Sequence, residues 1–335
     1  MAREIATSLI DKVSESYFID NHEMNVGASV GIAAVTGDGT STSALMTNAD
    51  LALYEAKNRG RGTHAVYREA MRSKLEERSN LRGDLANALE NGQMSISYQP
   101  IVRPDGQSVA CYEALMRWEH PERGLVPPSV FIPIAEESLL IEQLGAWILR
   151  KACSDAAQWP EDIKLTVNVS SLQLSQGEFL ATVVEALASS GLAADRLVLE
   201  LTESIVLEMD EQLEALLMSL HELGVSLALD DFGRGYSSLN YIERMYFAMI
   251  KIDRDFVQSA AAGSIKSKAI VTAIVSLARS LKIDVVAEGM EYEEQASVLA
   301  ELGSTLFQGF HFGYPQTASE CLRKSVEVTE QRKVA

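Results

Sequence analysis

From Gln93 onward, short apolar runs alternate with helix-length amphipathic segments, and this rhythm restricts the chain more than any other feature. The runs are SISYQPIV, VACYEALMRW, LTVNVS, RLVLELTE, VSLALDDF, AMIKID, DVVAEGM and STLFQGF, eight strand candidates. Between the third and the eighth lie segments such as EQLEALLMSLHELG and KAIVTAIVSLARSL, which carry helical periodicity. Strands alternating with helices make βαβ units in a mainly parallel sheet, and eight of them predict a closed, TIM-like (βα)8 barrel of the α/β class. The first two runs are joined only by RPDGQ, a turn too short for a parallel crossover. One barrel strand is therefore predicted to run antiparallel.

Polar groups fall in phase with these runs. Glu113, Asn168, Glu200, Asp230 with Asp231, Lys251, Glu288 and Gln308 each sit near the C-terminal end of an apolar run. In a βα barrel those ends converge on one rim, where catalytic side chains project from several strands. Within RLVLELTE the alternation puts Val198 and Glu200 on one face and Leu197, Leu199 and Leu201 on the other. Several carboxylates around one mouth repel unless something neutralises them. An oxygen-only set of Glu, Asn, Glu and Asp, without His or Cys, suits Mg²⁺ or Mn²⁺ rather than Zn²⁺. The adjacent Asp230 and Asp231 could serve two ions about 4 Å apart, the spacing at which a bridging water attacks phosphorus. Lys251 at the same rim could orient that water or offset phosphate charge.

The remainder of the sequence narrows the class. Residues 1–68 read as a small mixed α/β piece. A helical pattern covers 3–17, strand-like runs lie at 17–20 and 27–35, and a Ser/Thr cluster within 37–42 is placed to cap a helix with the apolar stripe Leu45, Ala49, Ala52, Leu53 and Ala56. Residues 69–92 read as a charged connecting helix stopped by Asn91-Gly92. The barrel spans 93–322, and 323–335 form a tail. A net charge of −18 argues against a sequence-independent grip on DNA. The 3 cysteines lie far apart, which disfavours a disulfide framework or structural zinc and places the chain in a reducing compartment, read as the cytoplasm. The opening residues lack the apolar core of a secretory signal, and no run is long enough to span a bilayer. Asp231-Phe232-Gly233 spells a kinase magnesium motif, but no kinase catalytic loop or Gly-rich loop accompanies it.

At EALMRW the sequence resembles the EAL domain of bacterial cyclic di-GMP phosphodiesterases. The matching text is YQPI, EALMRWEHPERGLVPPSVFIPIAEES, NVS, ELTES, DDFGRGYSSL, KIDRDFV, AEGME and QGF. The resemblance implies hydrolysis of cyclic di-GMP to linear pGpG with Mg²⁺ or Mn²⁺, two ions in all. It implies that Glu113, Asn168, Glu200 and Asp230 are metal ligands and that Asp231 holds a second ion. By the same resemblance Lys251 positions the attacking water, Glu288 binds metal or acts as general base, and Gln308 makes a polar contact. Arg117 holds a substrate phosphate, Gln99 lies beside the nucleotide, and Glu203 props the loop that carries DDFG and GYSS. That loop implies a homodimer. Arg234, Tyr246 and Phe247 depart from the family pattern without removing a catalytic group.

Residues 1–68 resemble the C-terminal part of a GGDEF domain, through VGASVGIAAV and ADLALYEAKNRGRGTHAVY, with Lys57 and Arg61 matching a phosphate-contacting pair. The GGDEF hairpin itself is absent, so no cyclase activity is expected. The chain reads as a fragment or truncated member of a GGDEF–EAL tandem protein, with a missing N-terminal half, a possible sensory domain and a parent that could be membrane-anchored. Two alternatives remain beside the phosphodiesterase: a catalytically weak or inactive cyclic di-GMP receptor, and a barrel enzyme acting on another phosphodiester.

Overall fold

The computed structural model describes residues 1–20, 22–35, 41–175, 177–233 and 239–325. Arg234, the remainder of the loop after Asp231 and most of the expected tail lie outside the described residues. Two compact units are present, Met1–Asp84 and Leu85–Ala335.

In the first unit, strands β1 (Tyr17–Ile19) and β2 (His22–Met24) pair antiparallel, and β3 (Val30–Ile32) and β4 (His64–Val66) pair parallel. The helix Thr42–Asn58 is capped as its sequence predicts, with Ser41 Oγ accepting from the Ala44 N–H at 3.1 Å. It lies directly on β3: a Cβ at Gly31 would come within 2.0 Å of the Ala49 carbonyl. The core is small, Ala52, Ala56 and Ala65 with Tyr67 and Met71 packed against it. The β2 strand has no counterpart in the sequence reading, and the run at 27–35 contracts to three residues. The charged helix covers Glu69–Ala86 rather than continuing to residue 92; turns carry the chain through Asn91 and Gly92, whose φ is +66°.

The second unit is the barrel. Its strands are β5 (Met94–Val102), β6 (Val109–His120), β7 (Gly124–Val126), β8 (Lys164–Asn168), β9 (Leu197–Thr202), β10 (Ser226–Phe232), β11 (Phe247–Ile252), β12 (Asp284–Ala287) and β13 (Leu306–Gln308). The order is β5-β13-β12-β11-β10-β9-β8-β6, and pairing of β5 with β6 closes the ring. As expected from the short turn, β5 runs antiparallel to both its neighbours, while the other pairs around the ring are parallel. Strand β7 forms an added hairpin on β6, outside the ring. All eight expected strands are present. Helices with buried apolar stripes, such as Leu140–Ala156, Glu211–Glu222 and Ile265–Leu281, follow the strands. Among the described residues no helix is long and apolar enough to cross a membrane.

The barrel interior is a packed layer, and its membership decides where the site stands. Ile101, Cys111, Val198, Ala228, Met249, Val286 and Leu306 belong to one buried cluster, which Ala110 beside Cys111 completes. Each is the inward residue of a different strand, and two positions along every strand the next inward residue follows.

Candidate active site

Two residues beyond Cys111 is Glu113, beyond Val198 is Glu200, and beyond Ala228 is Asp230. Beyond Met249 comes Lys251, beyond Val286 comes Glu288, and beyond Leu306 comes Gln308. On the antiparallel β5 the direction reverses, so Gln99 lies two residues before Ile101. Asn168 takes the same place after the buried Thr166. An apolar layer thus forms the floor, and a polar layer stands on it at the C-terminal rim.

Lys251 is the centre of that polar layer. Its Nζ lies 2.7 Å from Glu288 Oε1, 2.8 Å from Glu200 Oε2, 3.3 Å from Glu113 Oε2 and 3.7 Å from Asp230 Oδ1. Asn168 Nδ2 donates to Glu113 Oε1 at 2.7 Å, and Gln308 Nε2 donates to Glu113 Oε2 at 2.5 Å. Gln308 Nε2 also reaches Gln99 Oε1 at 3.4 Å. The structure therefore brings together Gln99, Glu113, Asn168, Glu200, Asp230, Lys251, Glu288 and Gln308. A cleft of ≈ 300 Å³ opens above them. The adjoining, mostly apolar hollow of ≈ 570 Å³ is lined by Leu115, Met116, Pro128, Ile132 and Pro133 and shares Asn168 with the site.

Three sequence-derived candidates stand apart from this group. Arg117 lies farther along β6, half-buried, with Nη1 donating to the Met116 carbonyl at 3.0 Å. Glu203 is buried and its Oε2 accepts from the Gly233 N–H at 3.2 Å, tying the end of β10 to the short helix after β9. Asp231 has a left-handed backbone, φ +55°, and its N–H donates to Asp230 Oδ1 at 2.8 Å. That conformation costs a non-glycine residue energy and is tolerated best by Asp and Asn; here it fixes the Asp230 carboxylate from behind.

One ammonium cannot balance four acids in a mostly buried cluster. Burial pushes Glu113 up, but Lys251 and the donors Gln308 and Asn168 outweigh it, so its carboxyl lies below the ordinary range. Burial and the Glu113 charge hold Glu200 well above the ordinary range, with Lys251 opposing them. Glu288 is pushed up to about 7 by burial, against Lys251, with Asp230 and Glu113 adding to the rise. Burial alone lowers an ammonium, yet the four surrounding carboxylates hold Lys251 well above its usual value. The excess negative charge invites further cations. Among the described residues, buried Glu200 Oε1 and Gln308 Oε1 have no hydrogen-bond partner, two hard oxygen acceptors available to such an ion. The acids here are gathered on Lys251, and among the described residues no three His, Cys, Asp or Glu side chains converge on a common ligand point.

The cleft wall also contains Arg254, Glu291 and Phe310, which the sequence reading passed over. The available signal was position: each follows a rim residue, Lys251, Glu288 or Gln308, by two or three residues.

Comparison with known proteins agrees with this geometry. The EAL domain family model matches residues 82–315, and the model of the diguanylate cyclase GGDEF domain matches residues 1–63. The bifunctional diguanylate cyclase/cyclic di-GMP phosphodiesterase MucR of Pseudomonas aeruginosa is 40% identical over 326 residues, 96% of this chain and 47% of MucR. The cyclic di-GMP phosphodiesterase PdeR of Escherichia coli is 35% identical over 317 residues, 94% of this chain and 48% of PdeR. The chain thus spans about half the length of these relatives. A solved structure of the MucR phosphodiesterase in complex with c-di-GMP superposes with a TM-score of 0.70 at 40% identity, covering 72% of this chain and 100% of that one. From the family match over most of its residues, and from relatives of this identity along nearly its whole length, the chain belongs to the EAL domain family, and its first 63 residues match the GGDEF domain model.

Proposed function

We propose that the chain is a metal-dependent phosphodiesterase that hydrolyses cyclic di-GMP to linear pGpG in bacterial second-messenger signalling. The observation that carries this reading is the convergence of four carboxylates, Asn168 and Gln308 around Lys251 at the barrel mouth, in a chain similar to MucR and PdeR.

Glu113, Asn168, Glu200, Asp230 and Asp231 would hold Mg²⁺ or Mn²⁺, with Glu288 at the edge of the set; their oxygens suit these ions. When bound, such ions supply Lewis acidity to the phosphoryl oxygens and make water a stronger nucleophile at neutral pH. Lys251 stays protonated among the acids and orients the attacking water while offsetting charge that builds on the phosphate. Glu288, poised at about 7, is suited to accept the water proton. The water oxygen bonds to phosphorus, the bond from phosphorus to one 3′-oxygen breaks, and that oxygen leaves with a proton, so one water is added overall. The apolar hollow beside Asn168 suits a nucleobase, and in the same proposal Arg117 holds a substrate phosphate and Gln99 contacts the nucleotide. A homodimer through the loop after Asp231 belongs to the same proposal, and light scattering of the active chain tests it.

Incubation with cyclic di-GMP and Mg²⁺ or Mn²⁺, followed by chromatography, tests the reaction. Metal-dependent pGpG is expected, and Glu113→Ala should lower its rate roughly a thousandfold with circular dichroism unchanged. Tight nucleotide binding without product in excess metal would make the chain a receptor instead. Equal turnover of unrelated diesters would assign it another substrate.

A further inference from the structure

Asn168 is exposed, unlike the other side chains gathered at the mouth. Packing does not locate it, so its place depends on its bond to Glu113 and on the backbone that carries it. Up to Asn168 that backbone is held by the sheet. Asn168 stands opposite Glu200 in the pairing of β8 with β9, and the Val169 N–H donates to the Glu200 carbonyl at 3.0 Å. One residue later the ladder ends, and the chain turns into the short helix Ser171–Ser175. Gln173 closes that turn. Its Oε1 accepts from the Ser170 N–H at 3.1 Å, and its own N–H donates to the Ser170 carbonyl at 3.1 Å. This is one half of a capping box, with Ser170 at the N-cap and Gln173 three residues on. The Ser170 hydroxyl is turned the other way and donates to Glu136 Oε1 at 2.7 Å. A helix of five residues does not stand by itself, so these bonds set the turn.

The Gln173 side chain is 7% exposed and crosses the helix Leu140–Ala156 at Gly145. A Cβ on Gly145 would lie 1.9 Å from Gln173 Nε2 and 2.6 Å from its Cδ. Glycine inside a helix weakens it relative to alanine, and here the space it leaves is filled by the Gln173 amide. Gln173 also lines both the apolar hollow beside Asn168 and a second hollow of ≈ 610 Å³ that Leu89, Trp147 and Phe179 border. With open space on two sides, its position rests on the Gly145 slot and on the bond to Ser170.

Resting on the metal-dependent reading above, we infer that Gln173, seated in the Gly145 slot, is a positioning residue that holds Asn168 in place as a cation ligand. It acts through the backbone: it fixes Ser170, two residues after Asn168, and with it the direction from which the Asn168 carboxamide reaches the mouth. An exposed carboxamide free to turn loses rotamer freedom when it takes an ion. A supporting bond behind the ligand removes that cost in advance.

Two readouts test this, Mn²⁺ titration calorimetry and the side-chain amide resonance of Asn168 in the isotope-labelled chain in EDTA, assigned by its loss in Asn168→Asp. Gln173→Met keeps the length but loses the acceptor. It should weaken Mn²⁺ binding roughly tenfold to a hundredfold and shift or broaden the Asn168 resonance. In turnover the loss should appear as a higher Mn²⁺ requirement, with KM for cyclic di-GMP close to the parent at saturating ion. Gln173→Glu keeps the acceptor and should restore a sharp Asn168 resonance. Gly145→Ala should displace Gln173 and weaken Mn²⁺ binding as Gln173→Met does. In a Gln173→Ala background the slot is vacant, so Gly145→Ala should add no further loss and should raise Tm. A lower Tm in Gln173→Met, with Mn²⁺ affinity and the Asn168 resonance unchanged, would reduce Gln173 to a brace of the fold and overturn the inference. Equal effects of Gly145→Ala in both backgrounds would overturn the slot. Should the unsubstituted chain bind no Mn²⁺, the metal-dependent reading fails by itself. The Asn168 resonance in EDTA then decides: a shift in Gln173→Met upholds the positioning role, and an undisturbed resonance refutes it.

Discussion

Replacing Lys251 by methionine isolates the electrostatics of the mouth. The side chain is 2% exposed, and methionine fills nearly the same length without the ammonium. Removing one partner of a buried ion pair costs about 3–5 kcal/mol, because the other charge stays in place. Here four acids are left behind, but Glu200 and Glu288 already lie above the ordinary carboxylate range and can neutralise themselves by taking up protons. That relief keeps the cost within the same range. For a domain of about 250 residues each kcal/mol moves the melting point by about 2–4 °C, so Tm in EDTA should fall by about 6–20 °C. The pH dependence has a definite sign. Burial raises Glu288 to about 7 and Lys251 opposes the rise, so the value climbs when Lys251 is removed. Between the ordinary carboxylate range and that value the folded chain holds protons that the unfolded chain has released. Stability must therefore decrease as pH rises through this window, more steeply in the variant. The Tm deficit should widen from pH 6 to pH 8. Mn²⁺ should narrow it, since a mouth that has lost its ammonium binds the ion more tightly and each tenfold gain in affinity adds about 1.4 kcal/mol to the variant's folded state at saturating ion. Differential scanning calorimetry in EDTA and in Mn²⁺ at both pH values provides the data. A variant within about 2 °C of the parent at pH 8 in EDTA would show that the acids do not depend on this cation.

Two further outcomes follow from the same geometry. A protonated carboxyl does not ligate, so Glu288, raised to about 7, predicts that Mn²⁺ affinity increases from pH 6 to pH 8, by up to about tenfold per pH unit for the proton displaced; calorimetry in buffers of different ionisation heat would show proton release, and a pH-independent affinity would contradict it. Gly309→Ala places a Cβ 2.0 Å from the Met290 carbonyl, so the urea midpoint should fall by the equivalent of about 1–3 kcal/mol, and an unchanged midpoint would mean that the segments separate freely.

The rim was legible because a barrel strand obeys a period of two. An inward apolar residue announces an inward polar residue two positions later, and the runs ending in Glu113, Glu200, Asp230, Lys251, Glu288 and Gln308 all repeat that grammar. Short elements in the first unit were harder to read: β2 has three residues, all exposed, so it leaves no apolar pattern to find. Asp231 lay within the expected rim, yet its left-handed backbone sends its N–H to Asp230, a choice of φ that no residue spacing encodes. Arg254, Glu291 and Phe310 follow the strands, where the period of two has ended. The hardest feature to foresee was the role of Lys251 as the centre. It stands on β11 and Glu113 on β6, with β10, β9 and β8 between them in the ring, yet Nζ and Oε2 lie 3.3 Å apart. Neighbouring strands bring residues together by register, but this pair meets across the lumen. Their contact depends on ring closure through β5 and on an inner layer small enough at Ala228 and Val198 to let the rim converge. The chemistry was therefore written strand by strand in local sequence, whereas its arrangement around one ammonium is a property of the closed barrel.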